Sequence, residues 1–245
     1  MYSNAYIFRY SAIMVIIAAA LLSTAAMLLK PFQERNVAID KMGGILASAQ
    51  IPDVNTSNAI KLFNEYVKEE IVINQDGDVV EAYKVGNMED GKAFKIDMKK
   101  ELYKKSKGEP FELPLYVIEK NGTKLFIIPV RGVGLWGPLW GNIALNEDLN
   151  TIVGVTFDHK GETPGLGAEI TTDFFTDKFV GKKIFDDNNQ FKSISVVKGG
   201  IDKLPKELKD FAVDAISGGT ITCNGVNDML EDVLESYLPY LQKNR

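Results

Sequence analysis

Leu115-Tyr116-Val117-Ile118-Glu119-Lys120-Asn121-Gly122-Thr123-Lys124-Leu125-Phe126-Ile127-Ile128-Pro129-Val130 decides the fold. Two β-branched and aromatic runs flank an Asn-Gly pair, the dipeptide that accepts positive φ at both central positions of a tight hairpin turn. Upstream, Ile71-Val72-Ile73-Asn74-Gln75-Asp76-Gly77-Asp78-Val79-Val80 repeats the pattern around Asp76-Gly77. Downstream, Asn142 to Phe157 reads as a further hairpin that delivers His159 at its end. Helical periodicity is interspersed with these strands. Asn55 or Ser57 caps a helix to about Glu70, with Ile60, Phe63 and Val67 on one stripe. Thr171 or Thr172 caps a short helix ending near Gly181, with Phe174, Phe175 and Phe179 facing the core. Phe191–Val197 is a strand, and Pro205 opens a helix carrying Leu208, Phe211 and Ala212. After Asn224-Gly225, Val226, Met229, Leu230, Val233, Leu234, Tyr237, Leu238 and Leu241 form a sustained i, i+3, i+4 stripe, and Pro239 frays its end. The fold class is α+β with an antiparallel-rich sheet and flanking helices.

The 245 residues suffice for one good core. A net charge of −5 argues against nucleic acid, which needs a basic face. One cysteine, Cys223, excludes an internal disulfide framework, and one histidine, His159, excludes a His-rich metal site. A redox role would therefore need an organic group. Lys92–Lys107 is charge-rich and reads as a solvated surface segment.

Ser11 to Leu29 is an uncharged run bounded by Arg9 and Lys30. As a helix it spans about 28 Å, close to a bilayer's hydrocarbon core. A retained anchor fits that length better than a cleaved signal peptide, whose apolar region is shorter. Residues 1–30 are then the anchor, 31–56 a juxtamembrane helix or linker, and 57–245 the extramembrane domain. Charges on either side of the run do not fix its orientation.

Two glycine-rich segments carry the chemistry. Asp214-Ala215-Ile216-Ser217-Gly218-Gly219-Thr220-Ile221-Thr222 places three hydroxyls beside two glycines where regular structure stops and a helix starts. Successive amides at such a start can cradle a phosphate, or the stretch is an ordinary capped helix entry. Gly161-Glu162-Thr163-Pro164-Gly165-Leu166-Gly167 is the second segment, where Pro164 holds Thr163 extended and the glycines permit close backbone approach. Between them in character, Arg131–Gly141 holds four glycines, Pro138 and both tryptophans, and so reads as an irregular loop. Trp136 is a candidate wall for a flat ligand and Trp140 a core residue.

Asp-x-x-Ser-Gly-x-Thr resembles the flavinylation motif on which a dedicated transferase attaches FMN, through its phosphate, to the last threonine. Gly-Glu-Thr-Pro-Gly-Leu-Gly followed by an acidic residue resembles the companion segment of FMN-binding domains. Behind one N-terminal anchor, the two are similar to the C-subunit family of sodium-translocating NADH:quinone oxidoreductases, with the G-subunit family of Rnf electron-transport complexes as near relative. The resemblance implies covalent FMN on Thr220, with Ser217, Thr222 and the amides around Gly218 and Gly219 at the phosphate. It implies that Glu162, Thr163, Pro164, Gly165, Leu166, Gly167 and Ile221 line the flavin beside Trp136, and that the transferase reads Asp214. It implies an oxidoreductase subunit of a bacterial inner-membrane complex, passing single electrons from NADH towards quinone with sodium export. The domain would lie on the extracytoplasmic side, with other membrane and redox subunits as partners. Gly219 departs from the alanine usual before the acceptor, which adds backbone freedom without bulk. A hydrolase built on Ser217, His159 and Asp214 lacks a Gly-x-Ser-x-Gly elbow, and Cys223 has no assigned role. A cofactor-free membrane-anchored assembly module is the reading of another class.

Overall fold

The structure is a computed structural model, and it describes residues 3–84 and 86–245. The chain forms two compact units, Met1–Lys41 and Met42–Arg245.

From Asn4 on, the first unit is part of α1 (Asn4–Ser48), whose apolar window is long enough to cross a membrane and is wholly unburied by protein. The helix runs through Pro31, so the expected juxtamembrane segment is helical as far as Ser48. Its last turns belong to the second unit, where Met42, Ile45, Leu46 and Ala49 are fully buried.

The second unit is built on six antiparallel strands in the order β2-β1-β3-β4-β5-β6. These are β1 (Val67–Asn74), β2 (Val79–Tyr83), β3 (Glu112–Lys120), β4 (Thr123–Val133), β5 (Pro138–Leu145) and β6 (Ile152–His159). Every expected hairpin forms. Asn121 and Gly122 take φ of 53° and 81°, the left-handed pair that a two-residue turn demands.

Both faces of β1 and β3–β6 carry buried side chains, which is why these strands read as nearly continuous apolar runs, while the edge strand β2 is largely exposed. On one face Leu113, Leu115 and Val117 of β3, Ile128 and Val130 of β4, Ile143 of β5 and Phe157 of β6 share a core with α6 (Thr220–Asn244), and Phe157 packs on Phe175 and Phe179. The Tyr237 hydroxyl of that helix donates to the Pro114 carbonyl at 2.6 Å, and burial pushes its phenol well above the usual range. The opposite face meets the end of α1. Thr156 donates to the Gly44 carbonyl at 3.1 Å, and a side chain on Gly154 would collide with the Ser48 carbonyl. It also meets α2 (Ala59–Tyr66), whose Phe63 stacks edge-on against Tyr116, and α3 (Lys92–Lys95), whose Ala93 carbonyl accepts from the Tyr116 hydroxyl. The charge-rich segment continues as α4 (Met98–Ser106), capped by Asp97 through the Lys99 amide at 3.0 Å.

Several elements differ from expectation. The first short helix stops at Tyr66, with Asn58 rather than Asn55 or Ser57 at its cap, because Val67–Glu70 are drawn into register with β3. Thr172 precedes α5 (Asp173–Thr176), which passes into a 3₁₀ turn at Asp177–Phe179. That turn points Phe175 and Phe179 inward and leaves Phe174 exposed under Lys178, whose Nζ is 4.2 Å from the ring centroid. The 191–197 strand shrinks to β7 (Ser195–Val197), because Ser193 takes φ of 54° and breaks the extended run. The segment after Pro205 is 3₁₀ (Lys206–Phe211), and Ala212 opens β8 (Ala212–Asp214), parallel to β7.

Candidate functional site: a glycine-walled cleft at the start of the C-terminal helix

Arg131–Gly141 is not a free loop. β4 continues to Val133, β5 resumes at Pro138, and only Gly134–Gly137 lie outside the ladder. Its glycines serve close packing: a side chain on Gly132 would come within 2.6 Å of Met229 Cβ on α6. Gly225 of the helix likewise lies on the Val133 carbonyl. These two contacts bring the start of α6 against the end of the β4–β5 hairpin. Trp140, on the face away from α6, is half-buried rather than a core residue.

The other wall follows β6. His159 ends that strand and its Nδ1 accepts the Glu162 amide at 3.1 Å, a backbone partner as expected for a strand-end histidine. The chain then turns tightly through Thr163–Gly167, with the Leu166 and Ala168 amides both on the Thr163 carbonyl. Glu169, the acidic residue after the motif, fixes this turn by accepting the Gly165 amide at 2.8 Å. Gly165 takes φ of 77°, a conformation that favours glycine.

The third wall is the start of α6. Ser217, Gly218 and Thr220 are exposed, while Gly219 and Thr222 are buried. Gly218 takes φ of 78°, and a side chain there would reach within 2.6 Å of Leu166 Cδ2. The helix begins at Thr220, six positions before the apolar stripe, and no side chain caps its first turn. Early amides of a helix have no partner within the helix, so Thr220, Ile221 and Thr222 present theirs at the helix's positive end. The Gly219 amide does not join them, since it donates to the Ile216 carbonyl at 3.1 Å.

Together the walls enclose a cleft of about 210 Å³ lined by Leu135, Glu162, Thr163, Leu166, Gly167 and residues 218–222. Glu162 sits at its base, 5% exposed. Its Oε1 accepts the Trp136 amide at 2.9 Å, and its Oε2 accepts the Thr222 hydroxyl at 2.5 Å. The structure thus gathers both motifs into one site. It places the Thr222 hydroxyl on Glu162 rather than at the cleft mouth. It makes Leu135 the residue of the 134–137 loop that lines the cleft, with the Trp136 side chain 65% exposed. Nothing in the sequence pattern singled out Leu135; only the pairing of β4 with β5 shows which residue of the loop turns inward. Pro164 is exposed on the turn and Ser217 beside the cleft.

Asp214 ends β8 away from the cleft lining. Its Oδ1 accepts the Ile201 amide at 2.6 Å, and its carbonyl accepts from Lys178 Nζ at 3.3 Å. Cys223 is buried against the Ile216 amide, and burial pushes its thiol up. Among the described residues no cluster of His, Cys, Asp and Glu could hold a metal ion.

Residues 134–235, the span containing all three walls, match the family model for an FMN-binding domain. Over a longer span, the C subunit of the Na(+)-translocating NADH-quinone reductase of Vibrio campbellii is 34% identical across 94% of this chain and 91% of its own. The chain belongs to the C-subunit family of Na(+)-translocating NADH-quinone reductases. The family member of Neisseria meningitidis serogroup A is 33% identical across 93% of this chain and 89% of its own. Among solved structures, the one from Parabacteroides distasonis superimposes with a TM-score of 0.74 at 40% identity, covering 87% of this chain and 96% of that one. Shewanella oneidensis NqrC gives 0.63 at 27% identity, covering 84% and 98%. Matches to this family over most of the chain take in its architecture: one long apolar N-terminal helix, then a sheet-rich antiparallel domain with helices.

The residues present suit FMN. Leu135, Leu166 and Ile221 are partly exposed apolar side chains at one opening, which a flat ring system would cover. The uncapped helix start suits a phosphate beside them.

Proposed function

We propose that this chain is the flavin-carrying C subunit of a sodium-translocating NADH:quinone oxidoreductase, with FMN joined through its phosphate to Thr220. The observation that carries this is the position of Thr220. It is the exposed first residue of a 25-residue helix whose opening turn has no side-chain cap, at the rim of the cleft.

Thr220 Oγ1 is free to attack a phosphorus activated as the pyrophosphate of a flavin dinucleotide. The Oγ1–P bond forms, the pyrophosphate P–O bond breaks, a nucleoside monophosphate leaves, and the hydroxyl proton passes to a base of the transferase. The first-turn amides of α6, at its positive end, and the Ser217 hydroxyl would hold the phosphate there. Leu135, Leu166 and Ile221 offer the ring an apolar platform, and Thr163, Pro164, Gly165 and Gly167 form the wall opposite. Asp214 remains our candidate for what the transferase reads.

Bound FMN supplies one-electron chemistry at a potential set by surrounding hydrogen bonds and charge. The chain itself contributes binding, orientation and partial exclusion of water. In the complex, electrons pass between this flavin and neighbouring redox subunits on the way from NADH to quinone, coupled to sodium export. The α1 helix anchors the chain in the bacterial inner membrane with the domain on the extracytoplasmic side. The anchor run has no internal charge, which argues against an ion path through this subunit alone.

The test is in-gel flavin fluorescence of the full chain after denaturing electrophoresis, following coexpression with the flavin transferase. Fluorescence in wild type and Thr222→Ala, lost in Thr220→Ala, is the expected result. A dark wild-type band, with the transferase active on a control substrate, would overturn covalent attachment.

A further inference from the structure

Three segments far apart in sequence meet on one buried side chain. Glu162 accepts the amide of Trp136 on one oxygen and the hydroxyl of Thr222 on the other. Its own amide is held by His159. Space for that carboxylate exists only because two neighbours are glycine. A side chain on Gly134 would lie 2.6 Å from Oε1, and one on Gly167 would lie 2.7 Å from Oε2. Both carboxyl oxygens are therefore engaged by the chain, on the side of the cleft away from its mouth.

We infer that Glu162 is a positioning residue, a latch that ties the 134–137 loop to the first turn of α6 and withdraws the Thr222 hydroxyl from competition with Thr220. A carboxylate with two donors holds each more firmly than a neutral acceptor does. Cutting it takes the acceptor from the Trp136 amide and from the buried Thr222 hydroxyl. The loop that carries Leu135 is then free to move, and the cleft loses its fixed width. The latch stands on the unloaded chain, while its effect on acceptor choice rests on the attachment reading above.

The experiment is amide hydrogen exchange of the full chain in detergent, without flavin, for wild type, Glu162→Gln and Glu162→Ala. An amide side chain retains one acceptor for Trp136 and turns a donor towards Thr222 Oγ1. Glu162→Gln is therefore expected to keep Trp136 exchange within about threefold of wild type, and Glu162→Ala to speed it about tenfold or more. Core amides around Tyr237 serve as the control and stay protected. Unchanged Trp136 exchange in Glu162→Ala, with the core protected, overturns the latch.

Should Glu162→Ala fail to fold, Thr222→Val severs one bond at constant shape, and Trp136 exchange is expected to rise by about twofold or more. No rise there overturns the latch equally. On loaded protein, peptide mapping is expected to find flavin on Thr220 alone in wild type and Glu162→Gln, and divided between Thr220 and Thr222 in Glu162→Ala. Label confined to Thr220 in Glu162→Ala overturns the selecting role. An unlabelled wild type would defeat the attachment reading and leave the exchange result to judge the latch.

Discussion

Thr220 and Thr222 share the opening turn of α6 yet point into opposite environments, one into solvent and the other onto the buried Glu162 carboxylate. Two residues along a helix turn about 200°, so neighbours at this spacing cannot face the same way. The spacing turns Thr222 to the buried side, and its bond to Glu162 holds the hydroxyl there.

Their valine variants should separate accordingly. Thr220→Val is expected to leave unfolding free energy within about 0.5 kcal/mol of wild type, since it alters an exposed position. Thr222→Val is expected to cost about 1–3 kcal/mol, because a buried carboxylate oxygen loses its donor. Urea unfolding with an unchanged m-value measures both. Equal losses would mean that Thr222 is not committed to Glu162.

Gly218 and Gly219 differ in what a methyl group would meet. At Gly218 both the left-handed φ of 78° and the Leu166 side chain oppose it. At Gly219 φ is −94°, and the nearest atom is the Leu166 carbonyl oxygen at 3.3 Å. Gly218→Ala is expected to destabilise by about 1–2 kcal/mol more than Gly219→Ala. Flavin labelling should survive in Gly219→Ala, the residue usual in the family's motif. Thermal melts and in-gel fluorescence of the two variants decide the matter; the reverse order would refute this account of the turn.

Asp214 combines a structural bond with the recognition role we propose, and the two can be parted. Asp214→Asn keeps an oxygen for the Ile201 amide and is expected to unfold within about 0.5 kcal/mol of wild type. Asp214→Ala loses that acceptor and should cost about 1 kcal/mol. If the transferase reads the negative charge, both label poorly. Full labelling of Asp214→Asn would show that the carboxylate serves the fold alone.

Much of this was legible because the signals were local. Asn121-Gly122 fixes its hairpin through backbone angles that few other pairs adopt. The α6 stripe announces itself through spacing, yet its ends did not. Gly225 reads as an interruption but sits mid-helix because the Val133 carbonyl leaves no room for a side chain. Pro239 reads as a fray, but the helix continues to Asn244, with Tyr240 and Leu241 buried and Lys243 bound to Asp78 and the Asp76 carbonyl. Tertiary contacts outweigh local preference at both places. At the site, each motif was visible alone. What could not be seen was that Trp136, Glu162 and Thr222 share hydrogen bonds, because nothing local records a contact across 26 or 60 residues. Phe174 shows the same limit: adjacent phenylalanines cannot both face inward from one short helix.

The exposed position of Thr220 also bears on the order of events in making the mature protein. The cleft walls, the Glu162 bonds and the helix start are assembled by the chain's own contacts, and the hydroxyl we propose as the acceptor remains outside them. If Thr220 is the acceptor, loading requires no reopening of the fold. An unloaded chain would be a finished intermediate that can wait, and supply of the flavin donor would govern yield without governing survival of the protein.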